Sequence, residues 1–129
     1  MLAASNATLE YTKNAVLTSS RAKLVVLMYE GAIRFVEQAR YHMQKGNNAA
    51  CGTAISNAYN VVSELKIALD HEAGGEIGKQ LSGQLEGLYV FIMEQLVQAN
   101  LNRTEEGLQD VIEILTTLES AWREVAGQI

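Results

Sequence analysis

The 129-residue sequence contains no proline, one cysteine, two histidines and only 6% aromatic residues. The single cysteine, Cys51, excludes a disulfide within the chain, and we expect it to behave as a small apolar residue. Charged residues or glycines interrupt every apolar run before the ~18 residues that a membrane span requires. The first residues lack the basic and apolar regions of a secretory signal. We therefore expect a cytoplasmic protein that does not insert into membranes.

Basic residues are the minority, 10 against 15 acidic ones, which gives a formal net charge of -5. Residues 1–45 carry six basic and three acidic residues, so residues 46–129 carry four basic and twelve acidic ones. Binding of nucleic acid needs clustered Lys and Arg to displace the counterions of phosphates. We therefore expect no nucleic-acid partner, and we interpret the charges as solvated helix faces.

The absence of proline, the many Ala, Leu, Glu and Gln residues, and an apolar spacing near 3.6 residues predict helices. Helix 1 is predicted to begin after Ser20 and to end at about Lys45. The segment Gly46-Asn47-Asn48 supplies its stop and the N-cap of helix 2. Helix 2 is predicted to end before Gly74-Gly75, because two adjacent glycines interrupt a helix.

Helices 3 and 4 follow, separated by a break at Asn102, where Glu105 three residues later completes a capping box. Four helices joined by short links can cover their apolar stripes only by packing side by side. The predicted fold class is therefore all-α, an antiparallel four-helix bundle of residues 18–129. Residues 1–17 show no clear period and are predicted to form an extended N-terminal arm. The predicted core residues are Leu24, Met28, Phe35 and Ala39 of helix 1, Ile55, Ala58, Val62, Leu65 and Leu69 of helix 2, Ile77, Leu81, Leu85, Leu88, Ile92, Leu96 and Ala99 of helix 3, and Leu108, Val111, Ile112, Leu115, Leu118 and Trp122 of helix 4.

Helices 1 and 3 carry more apolar surface than a bundle member needs, because residues 24–29 and 88–93 are apolar all round. Burial on several sides is the simplest explanation. Every helix of a four-helix bundle keeps an outer face, however, so a second stripe must meet the arm, another subunit or a partner helix in a groove. A weak homodimer is one such possibility. We assign the groove to Val25, Met28, Tyr29, Ala32, Tyr59, Tyr89, Met93, Val97 and Asn100, covered by Tyr11, Val16 and Leu17 of the arm.

Patterns typical of catalysis or metal binding are missing from the sequence. There are no Glu-x-x-His pairs for a di-iron bundle, no glycine-rich phosphate loop and no Gly-x-Ser-x-Gly elbow. We therefore predict no catalytic, cofactor or metal site and no enzyme. One alternative remains, because His42-x-x-Lys45-Gly46 resembles the motif of histidine phosphotransfer four-helix domains. That resemblance implies an exposed histidine in mid-helix, whereas the stop at residues 46–48 follows closely here.

Six segments, taken in order and spacing, resemble the flagellin-specific export chaperone family of the bacterial flagellum. They are Tyr11-x-x-Asn14-x-Val16-x-Thr18-x-Ser20, Leu24-x-x-Leu27-Met28-Tyr29-x-Gly31-Ala32-Ile33, Ala58-x-Asn60-Val61-Val62-x-Glu64-Leu65, Leu88-Tyr89, Leu96-x-x-Ala99-Asn100 and Ala121-Trp122. The chain departs from the family pattern at Arg21, where the family often has proline, and at Glu94-Gln95, which replaces a common arginine pair.

The resemblance implies a cytoplasmic helical chaperone that binds the disordered C-terminal segment of flagellin, which folds into helices on binding. Such binding would prevent premature polymerisation and keep flagellin competent for type III export. Components of the export gate are implied as further partners. A phosphotransfer domain that uses His42 and a self-associating structural bundle are the alternatives.

Overall fold

The computed structural model describes the backbone of residues 2–128 and the side chains of residues 21–127. Four helices make up the described chain: α1 (Leu2–Gln44), α2 (Asn48–Ile67), α3 (Gly75–Asn102) and α4 (Glu105–Gln128). Helices α1 and α3 each pack against α2 and α4, so α1 and α3 lie diagonally opposite each other. Short links join neighbouring helices, which therefore run antiparallel. The predicted all-α four-helix bundle is confirmed.

The turn between α1 and α2 forms where the sequence predicts it. Gly46 adopts a positive φ of 73°, a conformation that costs glycine little. The N–H of Asn47 donates to the carbonyl of His42 at 2.9 Å, and that of Gly46 donates to Met43 at 3.1 Å, which together form a Schellman motif. The Asn47 side chain then accepts a hydrogen bond from the N–H of Ala50 at 3.2 Å, so one residue ends the first turn and caps α2.

Glycines also determine the turn between α2 and α3. Gly74 and Gly75 have positive φ angles of 80° and 64°. A Cβ atom on Gly78 would lie 2.0 Å from the carbonyl oxygen of Ala73. The first turn of α3 can therefore approach the preceding loop only because residue 78 has no side chain.

Helix α1 begins at Leu2 rather than after Ser20, so the predicted boundary at that serine is corrected. The backbone of the predicted arm is helical from Leu2 onward and continuous with α1. Its sequence explains this, since residues 2–20 contain no glycine or proline that would interrupt a helix.

The start of α4 also differs from the prediction. Asn102 belongs to α3, and its amide donates to the side chain of Gln98 at 3.3 Å instead of capping α4. Arg103 ends α3 with a φ of 55°, and α4 begins at Glu105. The helix break therefore lies after Asn102, at residues 103–104.

The core runs along the inner faces of all four helices, and its members recur every three or four residues. It differs from the predicted core in α1, where Leu24 is 58% exposed, and in α3, where Ile77, Leu81 and Leu88 are exposed and Tyr89 is buried. An error of one residue in phase rotates a side chain by about 100° around the helix, which moves it from the core to the surface. The buried core residues are Ala22, Val26, Tyr29, Ala32, Val36 and Ala39 of α1, Cys51, Ala54, Ile55, Ala58, Val62 and Leu65 of α2, Tyr89, Ile92, Leu96 and Ala99 of α3, and Leu108, Val111 and Leu115 of α4.

Over the described length of the chain, no helix is both long and apolar enough to cross a membrane. Among the described side chains, no three His, Cys, Asp or Glu residues come together as a metal site would require.

Candidate functional site

An open groove runs between α2 and α3 and consists of two hollows. The first hollow, of about 340 Å³, is lined by Tyr59, Lys66, Val90, Met93, Glu94, Val97 and Gln98. The second hollow, of about 250 Å³, is lined by Ile55, Ser56, Tyr59, Asn60, Val97, Asn100 and Leu101. Tyr59 and Val97 line both hollows, so the two hollows adjoin each other. We call these residues together the α2/α3 groove.

The apolar wall of the groove is a stripe on α3. Val90 is 36% exposed, Val97 is 43% exposed and Leu101 is 71% exposed. Met93, between them, packs partly against the core. Spacings of three and four residues keep all four side chains on one side of the helix. An exposed apolar stripe of this kind, bordered by polar residues, is typical of an interaction site.

The opposite side of the bundle is closed by polar contacts between α1 and α4. Gln44 donates to Glu105 at 2.6 Å, and Arg40 contacts both Glu105 and Gln109. At the other end of these helices, Arg123 contacts Glu30 at 2.6 Å. Between residues 21 and 127, no side-chain hydrogen bond or ion pair joins α2 to α3 in this way. A partner can therefore enter the α2/α3 groove without breaking polar contacts between the two helices.

The structure brings together four of the nine predicted groove residues. Tyr59, Met93, Val97 and Asn100 line the α2/α3 groove. Val25 and Met28 instead line a separate cleft of about 400 Å³ at the end of the bundle, beside Leu85 and Trp122. The prediction missed the groove residues Val90 and Leu101, although the spacing of four residues from Val97 to Leu101 could have revealed the second.

Three predicted groove residues, Tyr29, Ala32 and Tyr89, are buried in the core, and their assignment to an open surface is corrected. The Tyr29 and Tyr89 hydroxyls hydrogen-bond to each other across the diagonal of the bundle. Burial raises the pKa of Tyr29, as does the hydrogen bond to Tyr89. Burial also raises the pKa of Tyr89. The two rings can be buried in the core because their hydroxyls satisfy each other's hydrogen bonds. The apolar pattern of a single helix does not show this pairing, and it therefore places both residues on the surface.

The predicted groove-covering residues Tyr11, Val16 and Leu17 lie outside the side chains that the structure describes. Their role stays a prediction.

A comparison with protein families decides which family this bundle represents. The family described as flagellar protein FliS matches residues 4–129. The chain belongs to the FliS family. The family resemblance seen in the sequence is thereby confirmed.

Relatives of this FliS-family chain come from several bacteria, and three of them are named as flagellar secretion chaperone FliS. The protein from Salmonella typhimurium is 32% identical over 115 residues, which cover 88% of this chain and 82% of the relative. The one from Vibrio cholerae is 35% identical over 107 residues, or 83% and 76% of the two chains. The one from Campylobacter jejuni is 32% identical over 115 residues, or 89% and 87%.

His42 does not occupy the position that a phosphotransfer domain requires. It lies in the last turn of α1, two residues before the helix ends, and its ring contacts the ring of Tyr41 at a centroid distance of 5.3 Å. A phosphoryl-accepting histidine of that class would be exposed in mid-helix, whereas His42 is half-buried. The relatives of this FliS-family chain are named as chaperones rather than enzymes.

Proposed function

We propose that this chain is a cytoplasmic export chaperone that binds the disordered C-terminal segment of flagellin in the α2/α3 groove. Binding prevents premature polymerisation of flagellin and keeps it competent for flagellar type III export. The observation that carries the proposal is an open apolar groove on a chain of the FliS family. The chaperone acts by binding and catalyses no reaction.

The groove suits an amphipathic helix. Its apolar wall is formed by Val90, Met93, Val97 and Leu101, which would receive the apolar face of a client helix. Polar residues border the hollows, so the outer face of the client can stay in water. A segment that folds only on binding loses conformational entropy, which offsets part of the apolar burial. The complex can therefore form in the cytoplasm and still release its client for export.

Isothermal titration of the full chain with a synthetic flagellin C-terminal segment tests the proposal. We expect binding with a negative heat-capacity change, because apolar surface is buried. Val97→Asp places a charge in the groove and should reduce affinity at least about tenfold, since burying an unpaired charge is unfavourable. Leu88→Asp is the matched control, because Leu88 is similarly exposed on α3 but faces α4. Equal losses for both variants, or no binding by the unaltered chain, would contradict the proposal.

The sequence-derived role of the N-terminal segment is proposed separately. If Tyr11, Val16 and Leu17 cover the groove, flagellin must displace them. Deletion of residues 1–15 should then tighten binding of the flagellin segment or leave it unchanged, as measured by the same titration. A large loss of affinity in a folded deletion variant would show that this segment contacts the client. Transfer to export-gate components and a weak homodimer stay predictions, and size-exclusion chromatography over a concentration series tests the second.

A further inference from the structure

We infer that the α2/α3 groove selects its client by spacing: it accepts two apolar side chains four residues apart on one helix, one in each hollow. Tyr59 and Val97 form the ridge that separates the two side chains. This inference rests on the proposed function, because it specifies which features of the client segment the same groove recognises.

The ridge follows from the residues that the two hollows share. Only Tyr59 of α2 and Val97 of α3 line both hollows. These two residues come from opposite walls of the groove and lie where the two hollows meet, so their side chains narrow the groove at that point. Tyr59 is half-buried and packs against the core, so its ring has a firm support. The groove is therefore divided into two sites rather than being one continuous trough.

The spacing of the hollows can be worked out along both helices. On α3 the first hollow is lined by residues 90–98 and the second by residues 97–101. On α2 the corresponding residues are 59–66 and 55–60. The midpoints differ by about five residues on each helix, which corresponds to about 7–8 Å at a rise of 1.5 Å per residue. Two independent walls thus indicate the same separation.

Only certain residues of a client helix can enter both hollows. Residues three, four and seven apart share one face of a helix. Their axial separations are about 4.5, 6 and 10.5 Å, and the separation of four residues is nearest to that of the hollows. A pair seven residues apart would place its second side chain beyond the second hollow, and a pair three apart would place both against the ridge.

Double-mutant cycles on the full chain and the flagellin C-terminal segment test this spacing. Val90→Ala alters only the first hollow, and Leu101→Ala alters only the second. Both residues are exposed, so both variants should stay folded. Each apolar residue of the client segment is replaced by alanine in turn, and affinities are measured by isothermal titration for every combination. Leu88→Ala is the control variant, because it lies outside the groove.

We expect one client residue to couple with Val90→Ala and a second with Leu101→Ala, each by about three- to tenfold in affinity. The two client residues should be four positions apart, and neither should couple with Leu88→Ala. If the segment binds but the coupled residues have another spacing, or none couples, the spacing rule is overturned while the proposed function stands. If the unaltered segment does not bind, both are overturned.

The ridge itself provides a second test. Tyr59→Ala joins the two hollows, so segments whose apolar pair has been moved to a spacing of three or seven should bind as well as the original. With the unaltered chain, the moved pairs should bind about tenfold more weakly, because one apolar side chain stays in water. Circular dichroism establishes whether Tyr59→Ala is folded. If Tyr59→Ala does not fold, Val97→Ala, which removes the other side chain of the ridge, is tested in its place. Continued discrimination after removal of the ridge would overturn the role of Tyr59 and Val97.

Discussion

The hydrogen bond between the hydroxyls of Tyr29 and Tyr89 is the main polar contact across the diagonal of the bundle, and its removal is the most informative test of the core. The two residues lie on α1 and α3, the diagonally opposite helices of the bundle. Both are buried. Burial is the main cause that raises the pKa of both tyrosines, and each buried hydroxyl has the other as its hydrogen-bond partner.

The two single replacements should therefore have similar costs. Tyr29→Phe and Tyr89→Phe each leave one buried hydroxyl without its partner, and we expect a loss of about 1–3 kcal/mol in the free energy of unfolding for each. In the double variant no tyrosine hydroxyl is left unpaired. The double variant should cost no more than either single variant, which implies a coupling of about 1 kcal/mol or more.

Urea unfolding followed by circular dichroism measures these free energies, with equal slopes required of all four proteins. Tyr41→Phe is the control, because Tyr41 is exposed and its hydroxyl lies outside the core. It should change stability by less than about 0.5 kcal/mol. Additive costs in the double variant would refute the hydrogen bond between the two tyrosine side chains.

Three further predictions concern pH, the division between core and groove, and the glycines. Both buried tyrosines have pKa values raised above the unfolded value of about 10, so the unfolded chain loses these protons at a lower pH than the folded chain. Urea unfolding should therefore show that stability falls above about pH 10, and less steeply in the variant with both Tyr29→Phe and Tyr89→Phe. Ile92→Ala, in the core, should cost about 2–5 kcal/mol, whereas Val97→Ala should change stability little and weaken flagellin binding in titration. Gly78→Ala should lower the melting temperature, because the new Cβ would lie 2.0 Å from the carbonyl oxygen of Ala73. Gly87→Ala is the control: its Cβ would meet nothing within 4 Å, and the variant should raise the free energy of unfolding by about 0.4–1 kcal/mol.

Local features of the fold follow from the sequence alone. The number of helices, the Schellman turn at Gly46 and the cap by Asn47 depend on contacts within a few residues of the chain. Such contacts are encoded by short patterns, because glycine tolerates positive φ and asparagine accepts a bond from the next turn. The family resemblance is of the same kind, since it rests on the order of short segments along the chain.

The division of apolar residues between core and groove is different, because it depends on how four helices are rotated against one another. Leu88 and Tyr89 are adjacent and both apolar, yet the first is exposed and the second is buried. The two side chains differ by about 100° of rotation around α3, and the buried one, Tyr89, pairs its hydroxyl with that of Tyr29, sixty residues away in the chain. Met93 and Val97 were placed in the groove from the sequence because they continue a stripe along one helix. The ridge between the hollows needs Tyr59 of another helix opposite Val97, and only the tertiary structure brings those two side chains together.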